Sequence, residues 1–386
     1  MIHVLIGTRA QLIKMAPVLN EIERRNLPLN LIMTGQHQET MSGLLKDFGV
    51  AVPPIWLHTG KEISGLSQVI PWFSRCLRRL VSQHSPLSAG VGDVLLVHGD
   101  TFSTLLGAIA GRVHRLRVAH IESGLRSFNI LHPFPEELTR LAIFRLSDLA
   151  FCPDEWSCGN LKGYRVQKII THGNTLLDAL RIGLNLKRLP PHPMPEGRFG
   201  VVSLHRFVNI FFKKRLTQIL GLLDEVAERY PLIFVLHPAT RRNLERSGHL
   251  SKLAENPRFH LWPRMGYFEF VTLLNRSDFV ITDGGSNQEE LSYLGKPTLL
   301  MRRATERQDG LDANVVLSGY DRSRVLAFVD GMREKEGDEN EVACMHFASS
   351  PSVVIVNTLE QERGEIGVGS AHSRADDFGH QKSPQR

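Results

Sequence analysis

Eleven short apolar runs recur along the chain, with stretches of helical periodicity between them. The runs are 2–6, 29–33, 94–97, 117–121, 149–152, 168–171, 199–203, 232–236, 258–262, 279–282 and 297–301. Helical patterns fall at 15–25, 103–114, 136–147, 214–229 and 287–294. Strands interleaved with helices predict an α/β fold with parallel sheets. An all-helical bundle or an antiparallel sandwich does not fit this pattern.

With 386 residues there is room for two domains. Residues 187–198, Lys-Arg-Leu-Pro-Pro-His-Pro-Met-Pro-Glu-Gly-Arg, hold four prolines and read as a semi-rigid linker. The expected division is a first α/β domain over 1–186, the linker over 187–198 and a second domain over 199–345. A C-terminal element over 346–362 is expected to dock back on a domain. Residues 363–386 are polar, rich in Gly and Ser, and expected to be disordered. Ligands of open α/β sheets lie outside the strand carboxyl ends. Two such domains facing one another would make a cleft.

Composition narrows the partners. Net charge is +6, but 46 basic against 40 acidic residues, with no dense cationic block, is not a nucleic-acid signature. No apolar run approaches the roughly 20 residues needed to cross a bilayer, so no membrane partner is expected. The first residues enter a strand directly, with no leader pattern. Cys76, Cys152, Cys158 and Cys344 show no paired or zinc-type spacing and read as free thiols in a reducing compartment. A cytoplasmic protein without a bound metal or cofactor is expected.

The chemistry-bearing motifs sit at strand ends. Ile281-Thr282-Asp283-Gly284-Gly285-Ser286-Asn287-Gln288-Glu289-Glu290 reads as strand, small-residue turn and helix start. Such a turn presents backbone N–H groups at the positive end of a helix dipole, a site for phosphate. Glu289 and Glu290 could accept from sugar hydroxyls. Gly7-Thr8-Arg9 with Lys14 forms a second anion-type turn. Asp100, Glu122, Glu136 and Glu137 gather near strand ends or helix starts of the first half, with Arg140 close by. Clustered carboxylates in a partly dry pocket can hold an acid and a base together, as removal of a carbon-bound proton requires. In the second half, His205 and His237 follow successive strands, and His205 could donate to a phosphate or act as a catalytic acid. Tyr267 and Phe270 could stack on a base, and Thr305-Glu306-Arg307 reads as a polar loop at the rim. Each feature alone also fits ordinary capping, packing or solvation.

Together these motifs resemble the UDP-N-acetylglucosamine 2-epimerase family. The likeness runs in order through Gly7-Thr8-Arg9, Ile13-Lys14-Met15-Ala16-Pro17, Thr34-Gly35-Gln36-His37, His98-Gly99-Asp100-Thr101, Glu122-Ser123-Gly124-Leu125-Arg126 and Pro133-Phe134-Pro135-Glu136-Glu137. It continues through His172-Gly173-Asn174-Thr175, His205-Arg206, Asp283 to Glu290, Leu294-Gly295-Lys296-Pro297 and Thr305-Glu306-Arg307. The resemblance implies two Rossmann-like domains in a GT-B arrangement with the active site in the interdomain cleft, and a homodimer. It implies inversion at C2 of a UDP-linked 2-acetamido sugar by elimination and re-addition of UDP, with no redox cofactor and no obligatory metal. By matched position, Asp100, Glu122 and Glu136 are acid/base candidates, with Lys14 and Arg140 lining the sugar pocket. Arg9, His205, Gly284 and Gly285, with Ser286 beside them, would hold the diphosphate. Glu290 would read the ribose and Phe270 would face uracil. Gln36 and His37 match a segment that touches a second, regulatory substrate molecule in some members.

Three motifs depart from the family pattern. Ala10-Gln11 stands where Pro-Glu is usual. Val208 takes the place of a carboxylate in His205-Arg206-Phe207-Val208-Asn209. Ser286 shifts a phosphate-side hydroxyl. A hydrolysing 2-epimerase releasing N-acetylmannosamine and UDP, a GT-B glycosyltransferase and a non-catalytic nucleotide-sugar binder remain as alternatives.

Overall fold

A computed structural model of the chain describes residues 1–35, 38–59, 66–87, 90, 92–130, 135–305, 307–332 and 349–362. They divide into two compact units, residues 1–179 with 349–362, and residues 180–332.

The first unit is built on seven strands: β1 (Ile2–Ile6), β2 (Leu29–Met33), β3 (Ile55–Trp56), β4 (Val94–His98), β5 (Arg117–Ile121), β6 (Leu149–Cys152) and β7 (Gln167–Ile170). Their order is β3-β2-β1-β4-β5-β6-β7, every pair parallel. The second unit has six: β8 (Gly200–Ser203), β9 (Leu232–Leu236), β10 (Phe259–Pro263), β11 (Phe279–Thr282), β12 (Thr298–Leu300) and β13 (Val315–Leu317). Their order is β10-β9-β8-β11-β12-β13, again parallel throughout. Both are Rossmann-like sheets. Each reverses its direction of growth beside its first strand, between β1 and β4 and between β8 and β11. Such a reversal opens a crevice at the strand carboxyl ends.

The central strands are buried and mostly apolar because helices cover both faces. All five residues of β1, β4 and β9 are buried. Two edge strands lie outside the eleven expected runs. With two and three residues, β3 and β13 are too short to carry a pattern. Helices Gln38–Phe48 and Leu66–Val81 are further additions, the latter with Pro71 inside it.

The first helix corrects the expected start at residue 15. It runs Arg9–Arg24 because Thr8 caps it: the Thr8 hydroxyl accepts the Gln11 N–H, and the Gln11 side chain accepts the Thr8 N–H. The division between units falls within helix Leu176–Leu186, ahead of the prolines. A Cβ on Gly183 would lie 3.1 Å from Phe268 and 3.2 Å from Val271, so the end of this helix packs on the second unit.

Residues 351–362 are helical and bury Ile355, Val356 and Leu359. Asp178 receives this segment, accepting from the Ser350 hydroxyl at 2.8 Å and the Ser352 N–H at 2.9 Å. Glu360 pairs with Arg25 and Glu362 with Arg117, so the C-terminal helix belongs to the first unit.

Candidate active site

At the carboxyl end of the first sheet, Glu122 follows β5 in a left-handed conformation, φ 62°. A residue with a Cβ rarely adopts it, and it aims the side chain back along the strand ends. Glu122 Oε1 accepts from Lys14 Nζ at 2.7 Å and Asn174 Nδ2 at 2.8 Å, and His98 Nε2 stands 3.5 Å from Oε2. A Cβ on neighbouring Gly99 would come 3.5 Å from the same Oε2. Lys14 and Glu122 are both nearly buried, so their attraction acts in a poorly screened environment.

His98 is wholly enclosed. Burial pushes its pKa down to about 4, against a partial pull upward from Glu122, and it is a neutral imidazole at pH 7. Neither ring nitrogen has a hydrogen-bond partner among the described residues. His120 is likewise pushed down to about 4 by burial, while its Nε2–H donates to the Gly99 carbonyl at 2.8 Å.

Asp100 follows β4 and is gripped at one oxygen by Arg140, through Nη2 at 2.6 Å and Nε at 2.9 Å. Arg140 also reaches Glu137 at 3.3 Å. Glu137 is fully buried, accepts the Ser127 N–H at 3.0 Å and pairs with Arg126. Burial alone would raise its pKa, but the Ser127 N–H and the Arg126 charge outweigh it and hold the carboxyl below its ordinary value. Glu137 is therefore an anchor for the 126–127 segment. Its neighbour Glu136 differs: one carboxylate oxygen is buried with no partner among the described residues. An orphaned buried oxygen of this kind is where a substrate hydroxyl or a transferred proton fits.

Gln11 explains one departure from the family pattern. Its amide accepts from Gly7 and Thr8 and donates to the His98 carbonyl at 2.6 Å, Thr101 at 3.0 Å and Thr104 at 2.9 Å. The amide has two N–H groups to share among these three acceptors, and a glutamate would have none. The Gly7–Arg9 turn is thereby tied to the end of β4, with half-buried Arg9 just inside the helix.

At the carboxyl end of the second sheet, Gly284 is the N-cap of helix Gly285–Leu294 and supplies no side-chain cap. The first intrahelical bond runs from Gln288 N–H to the Gly284 carbonyl. The N–H groups of Gly285, Ser286 and Asn287 therefore precede it, at the positive end of the dipole. A Cβ on Gly284 would sit 2.8 Å from His205 Cε1; one on Gly285 would face Arg307 Nε at 3.4 Å and Arg302 Nη2 at 3.5 Å. The glycines keep this cationic hollow open, an arrangement suited to a diphosphate.

Asp283 itself is buried and structural. It accepts the N–H groups of His205 at 2.9 Å and Arg206 at 3.0 Å and the Asn209 amide at 2.9 Å, fixing the turn that carries His205. The His205 ring lies 5.9 Å from that of His237, which caps helix Pro238–Arg246 by accepting the Ala239 N–H. Arg307 pairs with Glu289 at 2.8 Å. Glu290 is nearly buried on the same helix, and Phe270 is half-buried on helix Tyr267–Arg276.

The first unit thus brings together Lys14, Asp100, Glu122 and Arg140, with Glu136 one helical turn before Arg140. The second collects His205, His237, Gly284, Gly285, Ser286 and Arg307. Gln36, His37, Pro133, Phe134 and Glu306 lie outside the described residues. Sequence reasoning gave no role to His98, His120, Asn174 or Asn209. The register of β4 on β5, with His98 opposite Ile121, is what sets His98 beside Glu122. The motif His98-Gly99-Asp100 was the signal available. Among the described residues, no cluster of three or more His, Cys, Asp or Glu could hold a metal ion, and no helix is long and apolar enough to cross a membrane.

Comparison with known proteins bears on both units. The family model of UDP-N-acetylglucosamine 2-epimerase matches residues 20–355. The UDP-N-acetylglucosamine 2-epimerase of Escherichia coli is 31% identical over 366 residues, covering 89% of this chain and 93% of its own. That of Methanocaldococcus jannaschii is 29% identical over 349 residues, covering 87% and 93%. The crystal structure of the Neisseria meningitidis enzyme bound to UDP-GlcNAc superposes with a TM-score of 0.76 at 27% identity, over 93% of this chain and 99% of that one. With a family match that runs through both Rossmann-like units, the chain belongs to the UDP-N-acetylglucosamine 2-epimerase family.

Proposed function

We propose that this chain interconverts UDP-N-acetylglucosamine and UDP-N-acetylmannosamine. A base removes the C2 proton, the C1–oxygen bond to the diphosphate breaks, and UDP departs from a 2-acetamidoglycal. UDP then adds back at C1 while a proton returns to C2 on the opposite face. The atoms balance without an oxidant or reductant.

The first unit supplies the proton-transfer groups. Glu122, fixed by Lys14 and Asn174 beside a neutral His98, and Glu136, with its orphaned oxygen, are the two carboxylates we assign to opposite faces of C2. Asp100, held by Arg140, completes the acid/base set. The second unit takes the diphosphate on the N–H groups after Gly284, with His205 and Arg307 neutralising charge that develops as UDP leaves. Arg9 adds a further cation, Glu290 reads the ribose and Phe270 faces the base. His237 supports His205, and Gln36 and His37 are assigned to a regulatory contact. We place the enzyme in the cytosol as a homodimer. Buried free Cys76 and Cys152, whose thiols burial pushes up to about 11 and about 12, suit a reducing compartment.

The observation that carries this reading is the family match through both units, with the nearly buried Lys14–Glu122 pair in one and an uncapped glycine turn in the other. Incubation with UDP-N-acetylglucosamine in heavy water, followed by NMR, tests it. Deuterium should enter C2 while UDP stays attached to the sugar. Free N-acetylmannosamine and UDP would mark the hydrolysing outcome, and absence of any C2 exchange would sink the reading. Light scattering of the purified chain tests the dimer, which a monomer mass would refute.

A further inference from the structure

A cavity of about 510 Å³ opens in the second unit beside Arg206. Five of the described residues that line it are cations, Arg206, Lys214, Arg215, Arg302 and Arg303, and none is an acid. Arg206, Lys214 and Arg303 make no ion pair with any described residue. Like charges gathered around one hollow repel one another, so the arrangement is costly unless an anion enters.

Helix Lys213–Ala227 adds to the imbalance. It begins at the cavity with Lys213, Lys214 and Arg215 in its first turn, no acidic residue there, and no side-chain cap from Phe212. Cations at a helix N-terminus oppose the dipole. Fifteen residues of helix therefore aim a positive end into a space already ringed by guanidinium and ammonium groups. Arg215 lies flat over Tyr320, 3.6 Å from the ring centre, which fixes the cation in place. Arg302 is nearly buried, and its Nε donates to the Asp283 carbonyl at 2.8 Å, so this wall is rigid.

We propose that this cavity binds a phosphate-bearing anion, at a site separate from the glycine turn. A phosphoryl group carries up to two charges and three acceptor oxygens, which matches several convergent cations better than a single carboxylate does. Part of the lining is apolar and exposed, Val208 and Phe212, and Phe207 and Phe211 on the same short segment are exposed as well. The phosphoryl group therefore belongs to a soluble phosphorylated compound or to the headgroup of an anionic lipid. Arg302 is the one cation the cavity shares with the hollow at the glycine turn; Arg206, Lys214, Arg215 and Arg303 have no part in the catalytic assignment.

The test has two arms, both with UDP saturating the glycine turn. In one, inorganic phosphate is titrated into the full chain by ³¹P NMR at constant ionic strength. In the other, the chain is sedimented with phosphatidylglycerol vesicles and with phosphatidylcholine vesicles. Saturable phosphate binding without vesicle capture identifies a soluble ligand. Preferential capture by the anionic vesicles identifies a headgroup. In either case Lys214→Ala and Arg303→Ala should each weaken binding by about tenfold or more. Lys214→Glu should abolish it, with turnover unchanged. Neither phosphate binding nor anionic-vesicle preference would overturn the proposal. So would binding that survives all three substitutions, since it would then reside elsewhere. Lys214 and Arg303 are exposed, and an unchanged circular dichroism spectrum confirms that the variants fold.

Discussion

At the carboxyl end of the first sheet three carboxylates have a cation: Glu122 has Lys14, Asp100 has Arg140 and Glu137 has Arg126, while Glu136 keeps an oxygen without a partner among the described residues. At the same end of the second sheet, His205, Arg302 and Arg307 surround a helix start that itself carries positive charge; Asp283 is turned into the fold, and Glu289 offsets Arg307. Under the proposed function, two sheets of similar topology would serve opposite purposes. A group that passes a proton must keep its orientation through both protonation states, so its surroundings are fixed and nearly neutral. A group that holds a departing diphosphate needs uncompensated positive charge, because the ligand brings the balancing charge. The contrast makes separable predictions: damage to the first unit should strike chemistry, and damage to the second should strike nucleotide affinity.

The largest effect is expected from Glu122→Gln. The amide keeps the shape and can still meet Asn174, but it cannot accept a proton and leaves Lys14 without its counter-charge. General acid–base catalysis contributes about 10²–10⁴-fold, and loss of C2 deuterium exchange should fall in that range with UDP affinity changed little. Exchange at the wild-type rate would remove Glu122 from the chemistry.

Acid should weaken the first unit next. His98 and His120 have folded-state values of about 4, lowered by burial from an ordinary value near 6.5. The unfolded chain therefore binds protons below pH ~6.5 that the folded chain refuses until about 4. Stability is full above that window and declines as pH falls through it. At about 1.4 kcal/mol per unit, each histidine could remove on the order of 3 kcal/mol across the window. Urea unfolding at pH 7 and pH 5, followed through buried Trp72 of the first unit, should show a lower midpoint at pH 5. Equal midpoints would mean that the imidazoles are not held neutral.

How much of this contrast the sequence already carried differs between the two units. The glycine turn was legible because strand, Gly284-Gly285 and helix are consecutive, and local spacing alone defines the cradle. The acid cluster was half legible. Asp100, Glu122 and Glu136 stood at strand ends or helix starts, but the contacts that orient them come from Lys14, Asn174 and His98, up to 108 residues away. Those contacts depend on sheet register, which no short window encodes. Gln11 was visible only as a departure from a pattern, and its reason is a set of donations to β4 and the loop after it. The strands β3 and β13 escaped for a simpler reason: two or three residues at a sheet edge show no periodicity.

In the second unit, Gly284→Ala should act on affinity. Its new methyl carbon would start 2.8 Å from His205 Cε1, forcing the imidazole or the turn to shift. Loss of one well-placed, charge-assisted contact to phosphate should weaken UDP binding about tenfold. C2 exchange at saturating substrate should fall less than in Glu122→Gln. A calorimetric titration of UDP measures the first quantity, and unchanged affinity would place the diphosphate elsewhere.

The smallest effect is expected where the second unit's charge excess meets its surface. Val208 is half exposed and lines the hollow shared by Arg206, Arg302 and Arg303. Val208→Glu would put the family's usual carboxylate among three cations. Most of the gain would be screened by water, since exposed ion pairs contribute about 0–1 kcal/mol. The new carboxylate would nevertheless occupy the position where a phosphate oxygen would bind. Thermal stability should therefore rise only slightly and turnover should hold, while phosphate binding in the cavity disappears. If turnover instead rose strongly, the missing carboxylate would belong to the epimerisation machinery. The second unit would then be tuned for chemistry as well as for charge, and the division between the two sheets would have to be redrawn.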